Sequence, residues 1–284
     1  MRFRIAGAAI VLIGSIALGQ TSASPTPAQG TQAGTASAPA HQPQAKNDKE
    51  YAAYKLAASK TDPAQLEAAA DEFAQNFPDS ELKGLLYVRA MQMYQTQNNT
   101  AKVIVAGRKA IALNPTDPVP LVAVASALVM DTRENDLDRD SRYAEAAKDA
   151  QAALDNMDTG LQIPPNLAPE QVALAKANLR SISYDTLGVI AMNKKDYSAA
   201  EVNFQKAAEL MKDQPDAVVY LRLSVAQDNE GKYPQALDSA NKAAQYAQEG
   251  SAEKNLAKQQ QARLQKLIAE KNPTATPPSA TPPH

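Results

Sequence analysis

The stretch that decides the fold is Tyr184-x-x-Leu187-Gly188, followed by Tyr197-x-x-Ala200-x-x-x-Phe204-x-x-Ala207. In its second part, small residues and one aromatic ring recur at intervals of four and three, so they share one face of a helix. A glycine inside the first helix costs about 1 kcal/mol relative to alanine. We therefore expect Gly188 where a second helix approaches closely. The stretch predicts two antiparallel amphipathic helices, joined by a turn at Lys194-Lys195-Asp196.

Versions of this pattern recur along the chain, and the next one C-terminal is well matched at Tyr220, Leu223, Gly231, Tyr233, Ala236, Ala240 and Ala243. The spacing and residue types resemble the tetratricopeptide repeat, a helix–turn–helix unit of about 34 residues. The resemblance implies an all-α fold, a tetratricopeptide-like right-handed helical solenoid over residues 46–272. We expect about five units, at residues 50–79, 84–117, 118–157, 170–214 and 217–250. A C-terminal capping helix is expected at residues 251–271.

The N-terminus predicts export. Arg2 and Arg4 precede an apolar run from Ile5 to Leu18, which is shorter than the roughly 20 residues of a membrane span. This arrangement is typical of a secretory signal peptide, here residues 1–23. An uncleaved signal that anchors the protein in the membrane is the alternative. The chain has no cysteine, so it has no lipoprotein-type attachment site. We expect a periplasmic or secreted protein, with membrane contact only through an uncleaved signal.

Two low-complexity segments flank the predicted helical region. Residues 24–45 are rich in Pro, Ser, Ala and Gln, and residues 273–284 alternate Pro with Thr, Ser and Ala. Neither segment can bury enough apolar surface to offset the entropy of ordering, so both are predicted to be disordered. The C-terminal segment has the composition of a polyproline ligand or spacer as an alternative to an inert tail.

The composition argues against most catalytic chemistry. The only two histidines, His41 and His284, lie in the low-complexity segments, and neither a phosphate-binding loop nor a serine elbow occurs. We predict no catalytic residue and no cofactor, although an enzyme that uses carboxylates is an open alternative. The chain has 29 basic and 31 acidic residues, net −2, without a basic stripe, so nucleic acid is not an expected partner. The expected partners are proteins or peptides.

One acidic loop resembles the start of a calcium-binding loop. Asp136, Asp138 and Asp140 place carboxylates at alternate positions. The glycine expected next is Ser141, and the twelfth position is Ala147 instead of glutamate. These three aspartates are therefore weak calcium candidates. The alternative is a solvent-exposed connection between the two helices of the third unit.

The resemblance also implies a binding surface. In tetratricopeptide proteins, the first helices of successive units line a concave groove that holds an extended peptide or a partner helix. The corresponding positions in this sequence are Tyr54, Arg89, Gln92, Val122, Ser126, Asp185, Val189, Arg222 and Val225. Arg89 and Arg222 could each hold a carboxylate through two hydrogen bonds, or they could be surface arginines that cover apolar neighbours.

The expected function is a non-enzymatic protein–protein interaction scaffold, or an assembly or chaperone-accessory factor, in the bacterial envelope. The alternative is a small-ligand or glycan-binding accessory protein of an envelope complex. An open, continuous groove would favour a peptide partner, whereas a closed pocket with facing carboxylates would favour chemistry.

Overall fold

A computed structural model describes residues 43–164 and 167–271. Within these ranges the chain forms eleven α-helices and no strand. The helices are α1 Asp48–Ala58, α2 Pro63–Asn76, α3 Lys83–Thr96, α4 Thr100–Leu113, α5 Pro118–Asp131, α6 Arg139–Asn156, α7 Pro169–Asn193, α8 Tyr197–Leu210, α9 Ala217–Asn229, α10 Tyr233–Tyr246 and α11 Ala252–Lys271. This confirms the prediction of an all-α, tetratricopeptide-like fold. The predicted signal peptide, most of the N-terminal linker and the C-terminal tail lie outside the described residues.

Four of the helices are capped in the same way, by Asn47, Asp62, Asn99 and Asp196. In each, the side-chain oxygen accepts a hydrogen bond from the backbone N–H three residues further along the chain. Such a bond satisfies one of the backbone donors that a helix start leaves free, and it contributes about 1 kcal/mol. The local sequence thus defines where these helices start.

Three of the helical hairpins turn in the same way. Asn98, Lys195 and Gly231 have positive φ angles of 54°, 61° and 76°. The N–H of the residue that follows each of them donates to a carbonyl five residues back, at 3.0, 2.9 and 2.9 Å. This is the pattern of a helix that ends in a left-handed residue. The hairpins α3–α4, α7–α8 and α9–α10 therefore share one turn geometry.

The described residues divide into two compact units. The N-terminal unit contains residues 43–127 and 151–176 apart from 165–166, and the C-terminal unit contains residues 128–150 and 177–271. Helices α5, α6 and α7 contribute residues to both.

The core of the N-terminal unit is formed mainly by α2, α3 and the segment between them. Its fully or almost fully buried members include Leu66, Ala70, Phe73, Leu82, Leu86 and Ala90. Tyr54 of α1 packs edge-on against Phe73, with ring centroids 6.3 Å apart. Where α3 meets α4, Gly107 faces the side chains of Met91 and Val124, which occupy the space that a β-carbon on Gly107 would need.

The C-terminal unit contains the close helix contact that the sequence predicts. A β-carbon on Gly188 of α7 would lie 2.5, 2.7 and 2.9 Å from three ring atoms of Phe204. Phe204 of α8 is 0% exposed and belongs to a core cluster with Ala200, Leu223 and Ala226. The absence of a side chain at Gly188 is therefore what admits the Phe204 ring.

The last helix, α11, covers one side of α10. Leu264 packs with Ala236 and Ala240, and Ala257 packs with Ala243 near the other end of α10. The opposite side of α11 is polar, as expected for a helix that closes a stack of repeats. None of the described helices combines the length and apolar character that crossing a membrane requires.

Candidate interaction surfaces

Three of the predicted groove residues come together in the N-terminal unit, on α1 and α3. Arg89 is exposed, whereas Tyr54 and Gln92 are half-buried. Burial raises the pKa of the Tyr54 hydroxyl, and the nearby positive charge of Arg89 opposes this rise. Tyr54, Arg89 and Gln92 are called the α1–α3 surface below. Two further predicted groove residues lie on α5 and differ in burial: Ser126 is half-buried and Val122 is buried.

The predicted groove residues of the C-terminal unit are less accessible. Arg222 of α9 and Asp185 of α7 are 4% and 6% exposed, and the Arg222 guanidinium donates a hydrogen bond to Asp185 Oδ2. Val189 packs against a core cluster that contains Phe204, and Val225 is half-buried. Arg222 matches neither alternative that the sequence left open, a guanidinium that holds a partner carboxylate or a surface arginine, because it is buried and bound to Asp185.

The Asp185–Arg222 pair leaves one acceptor unused. Among the described residues, Asp185 Oδ1 is buried and has no hydrogen-bond partner. A buried ion pair with an unsatisfied oxygen contributes little net stability, because removing both charges from water is costly. The pair links α7 to α9.

A polar network that the sequence analysis did not find joins α2 to α3 and α4. Glu67 is almost buried and accepts hydrogen bonds from the Tyr94 hydroxyl at 2.9 Å and from Lys109 Nζ at 3.1 Å. Lys102 Nζ lies 3.4 Å from the same carboxylate. Burial alone would raise the pKa of Glu67, but these donors and their charges outweigh it and lower the pKa. Burial and the Glu67 carboxylate raise the pKa of Tyr94 to about 12.

Asp71 is held next to this network by a tyrosine and a lysine together. The Tyr87 hydroxyl donates to Asp71 Oδ1 at 2.7 Å. Lys109 Nζ donates to both oxygens at 2.8 and 3.0 Å, and it also lies 5.2 Å above the centre of the Tyr87 ring. Burial would raise the pKa of Asp71, but the donors outweigh it and lower the pKa. Tyr87 and Lys109 thus form a small carboxylate-binding arrangement.

The C-terminal unit contains a counterpart of the Glu67 network. Glu201 of α8 accepts hydrogen bonds from Gln227 Nε2 at 3.0 Å and from Lys232 Nζ at 2.5 Å. The Ser239 hydroxyl in turn donates to Gln227 Oε1 at 2.7 Å. Burial would raise the pKa of Glu201, but the hydrogen bonds from Lys232 and Gln227 help to lower it. Each network ties the second helix of one hairpin to the next hairpin.

Lysines stacked on tyrosines recur at one spacing. In three repeats a lysine 22 residues after a tyrosine lies over its ring, at 5.2, 5.1 and 5.9 Å from the ring centre. The pairs are Tyr87–Lys109, Tyr184–Lys206 and Tyr220–Lys242. The constant spacing was visible in the sequence, and it is the signal that could have found these pairs.

The three weak calcium candidates lie just before α6 or at its start, and their carboxylates contact nearby groups of the chain. Asp136 Oδ2 accepts a hydrogen bond from the Arg133 backbone N–H at 2.7 Å, and Asp140 accepts one from Arg139 Nε at 3.1 Å. Asp138 lies 3.8 Å from Arg142. Nowhere in residues 43–164 and 167–271 do three or more His, Cys, Asp or Glu side chains form a group that could hold a metal ion. Asp136 and Asp138 lie in the connection between α5 and α6, whereas Asp140 lies in the first turn of α6.

These hairpins, turns and contacts define a tetratricopeptide-like helical repeat protein. No protein-family model and no curated protein matches the sequence. Among solved structures, the chain is similar to PilW, described as a widely conserved type IV pilus biogenesis factor, at 16% identity and a TM-score of 0.47, over 81% of this chain and 96% of that one. It is also similar to a chain of the APC/C hetero-tetramer Cut9–Hcn1, at 15% identity and a TM-score of 0.35, over 79% of this chain and 42% of that one.

Proposed function

We propose that this chain is a non-enzymatic protein–protein interaction scaffold of the bacterial envelope, which binds a peptide or a partner helix. The observation that carries the proposal is the α1–α3 surface. There an exposed guanidinium, Arg89, lies beside a half-buried aromatic ring, Tyr54, and the half-buried amide Gln92. An arginine fork binds carboxylates through two hydrogen bonds, and the ring offers apolar contact area next to it.

The buried Asp185–Arg222 pair supports placing the partner on α1 and α3. Both of its charges are paired and removed from solvent, so a partner that used Arg222 would first have to displace Asp185. Arg89, in contrast, is exposed to solvent. Of the two arginines at predicted groove positions, Arg89 is the one that a partner can reach without rearranging the protein.

Site-specific photocrosslinking tests this proposal. A photoreactive amino acid replaces Gln92 in the full chain, and the matched control carries it at Ala112, an exposed residue of α4. We expect position 92 to capture a discrete protein partner and position 112 to capture none. Arg89→Glu should abolish the capture, whereas Lys212→Glu, which makes the same charge change at an exposed site of the C-terminal unit, should not.

Equal capture at positions 92 and 112, or capture that survives Arg89→Glu, would contradict the proposed surface. Export is tested separately. Residues 1–23 fused to a reporter enzyme that becomes active only outside the cytoplasm should give activity, and replacing Arg2 and Arg4 by glutamate should reduce it. A reporter that stays inactive with the native segment would refute the envelope location.

A further inference from the structure

The N-terminal unit shows how this protein binds a carboxylate with a tyrosine and a lysine. The Tyr87 hydroxyl and Lys109 Nζ converge on Asp71 at 2.7 to 3.0 Å, while the Tyr87 ring supports the ammonium group from below. The Asp71 side chain is 44% exposed. The arrangement therefore works at the protein surface, where it holds a carboxylate that is partly in water.

The same two residue types meet twice more in the C-terminal unit without such a carboxylate. Lys206 Nζ lies 5.1 Å from the Tyr184 ring centre, and Lys242 Nζ lies 5.9 Å from that of Tyr220. Among the described residues, no carboxylate is in ion-pair contact with Lys206. Within the described part of the chain, the one carboxylate in ion-pair contact with Lys242 is that of Asp238, one turn back on the same helix, at 3.0 Å. An exposed pair of this kind is worth little and is readily exchanged.

For the Tyr220–Lys242 pair, the helix that precedes it explains the difference. Asp71 lies four residues after Glu67 on α2, and the counterpart of Glu67 on α8 is Glu201. Four residues after Glu201 stands Gln205, a neutral amide, whose Nε2 donates back to Glu201 Oε1 at 3.0 Å. The helix that precedes Tyr220 and Lys242 therefore supplies no negative charge where α2 supplies Asp71.

Tyrosine rings lie next to Lys206 and Lys242. Tyr184 and Tyr220 both pack against the buried cluster of Ala207, Ala208 and Val219. Tyr246, which is 40% exposed, lies beside Tyr220 with ring centroids 5.5 Å apart. The tyrosine–lysine surface is defined by Tyr184, Lys206, Tyr220, Lys242 and Tyr246.

We propose that the tyrosine–lysine surface binds an acidic, extended segment of a partner protein, whose carboxylates take the place that Asp71 occupies in the N-terminal unit. Packed helices are about 8–10 Å apart, and an extended chain in the polyproline II conformation rises about 3.1 Å per residue and presents every third side chain on the same face. Two acidic residues three positions apart would therefore reach both tyrosine–lysine pairs. The tyrosine hydroxyls and Lys206 supply the recognition, Lys242 joins them by exchanging Asp238 for a partner carboxylate, and the rings supply apolar contact.

This inference rests on the proposed function, because it names the chemistry of a partner that a scaffold would hold. The probe is the capped peptide Gly-Glu-Ala-Ala-Glu-Gly, titrated into the ¹⁵N-labelled full chain and followed by NMR chemical shifts. The control peptide has glutamine in place of both glutamates. We expect the glutamate peptide to shift amide signals around Tyr184 and Tyr220, and the glutamine peptide to bind more weakly.

Substitutions locate the binding. Lys206→Met keeps the aliphatic stem and removes the charge, and we expect it to weaken binding about threefold to fivefold, as for an exposed ion pair. Tyr220→Phe keeps the ring and removes the hydroxyl, and it should weaken binding to a similar degree. The matched control is Lys55→Met, which removes one positive charge from a lysine 4.5 Å above the Tyr51 ring in the N-terminal unit; it should leave binding unchanged.

Equal binding of the two peptides, shifts confined to other parts of the chain, or an equal loss in Lys55→Met would overturn the inference. So would the absence of shifts at millimolar peptide. None of these outcomes bears on capture at position 92, so the proposed scaffold function and this partner chemistry can fail independently.

Discussion

Replacing Gly188 by alanine should destabilise the α7–α8 hairpin, although alanine is the better helix former. The new β-carbon would lie 2.5 to 2.9 Å from three atoms of the Phe204 ring, whereas carbon atoms in contact lie about 3.5–4.0 Å apart. The ring would have to retreat by about 1 Å. It has little freedom to do so, because Phe204 is fully buried between Ala200, Leu223 and Ala226.

The expected change follows from two opposing contributions. Overpacking a filled core costs about 1–3 kcal/mol, and the higher helix propensity of alanine returns up to about 1 kcal/mol. We expect a net loss of about 1–2 kcal/mol in the free energy of unfolding, measured by urea denaturation and helix circular dichroism. Gly188→Leu adds more volume and should cost more.

A double-mutant cycle with Phe204→Leu isolates the clash, because the smaller side chain leaves room for the new methyl group. Gly188→Ala should cost at least about 1 kcal/mol less in that background. Gly84→Ala is the matched control, since its β-carbon would only reach ordinary contact with Leu113 at 4.0 Å; its effect should be neutral or stabilising. Gly188→Ala with native or higher stability, or additive effects in the cycle, would refute the packing argument.

Three further substitutions test other features of the structure by the same measurement. Burial raises the pKa of Asp117 to about 6, against an ordinary 3.8. Because the folded state then keeps its proton to higher pH, the free energy of unfolding should fall by about 2 kcal/mol as pH rises from about 4 to 7. Asp117→Asn should flatten this slope, and an unchanged slope would contradict the assignment. Lys195→Gly should stabilise by about 0.5–1 kcal/mol, because Lys195 has a φ of 61° that costs a non-glycine residue energy; a destabilised variant would show that its side chain matters more. Glu201→Gln should destabilise by about 1–3 kcal/mol, since it weakens the hydrogen bonds of a nearly buried carboxylate, and a loss equal to that in the exposed variant Glu209→Gln would argue against the network.

The helical architecture could be predicted from the sequence because it depends on local patterns. The spacing of Gly188, Ala200 and Phe204 is set by helix geometry, and it predicted the α7–α8 contact. The turn at Lys195 was also placed correctly between the two helices. Its left-handed conformation was not predicted, because lysine carries no sequence signal for a positive φ and the conformation follows from how the helix ends.

The sequence pattern predicts a glycine of the first helix against a large side chain of the second, but it does not predict the reverse arrangement. In the α7–α8 hairpin the first helix supplies the glycine and the second supplies the large side chain. In α3–α4 the roles are exchanged, since Met91 of the first helix lies against Gly107 of the second. The repeat motif of the sequence, which places the glycine on the first helix, predicts only the first arrangement. The shared physical requirement is the summed volume at the contact, which the identity of either residue alone does not reveal.

The side chains of the candidate site were harder to predict, because a repeat position does not determine which neighbour a charged group will find. The repeat pattern gives Arg222 and Arg89 the same predicted role as groove residues. In the structure, Arg222 is buried against Asp185, whereas Arg89 is exposed. The pairing depends on an aspartate 37 positions earlier in the chain. Such long-range partners are decided by how hairpins stack, so they emerge only from the structure.

The polar contacts between successive helices lead to a general argument about where a partner can bind. Glu67 and Glu201 occupy matching positions, and in both cases the next hairpin supplies the donors that hold the carboxylate. In both repeats, these donors are therefore engaged in hydrogen bonds between successive hairpins. Tyr87 and Lys109 likewise donate to Asp71, whereas Lys206 lies over the Tyr184 ring and no acid of the described residues forms an ion pair with it. In a protein built from similar repeats, binding capacity remains where one repeat retains the donors and the acid that would neutralise them is missing.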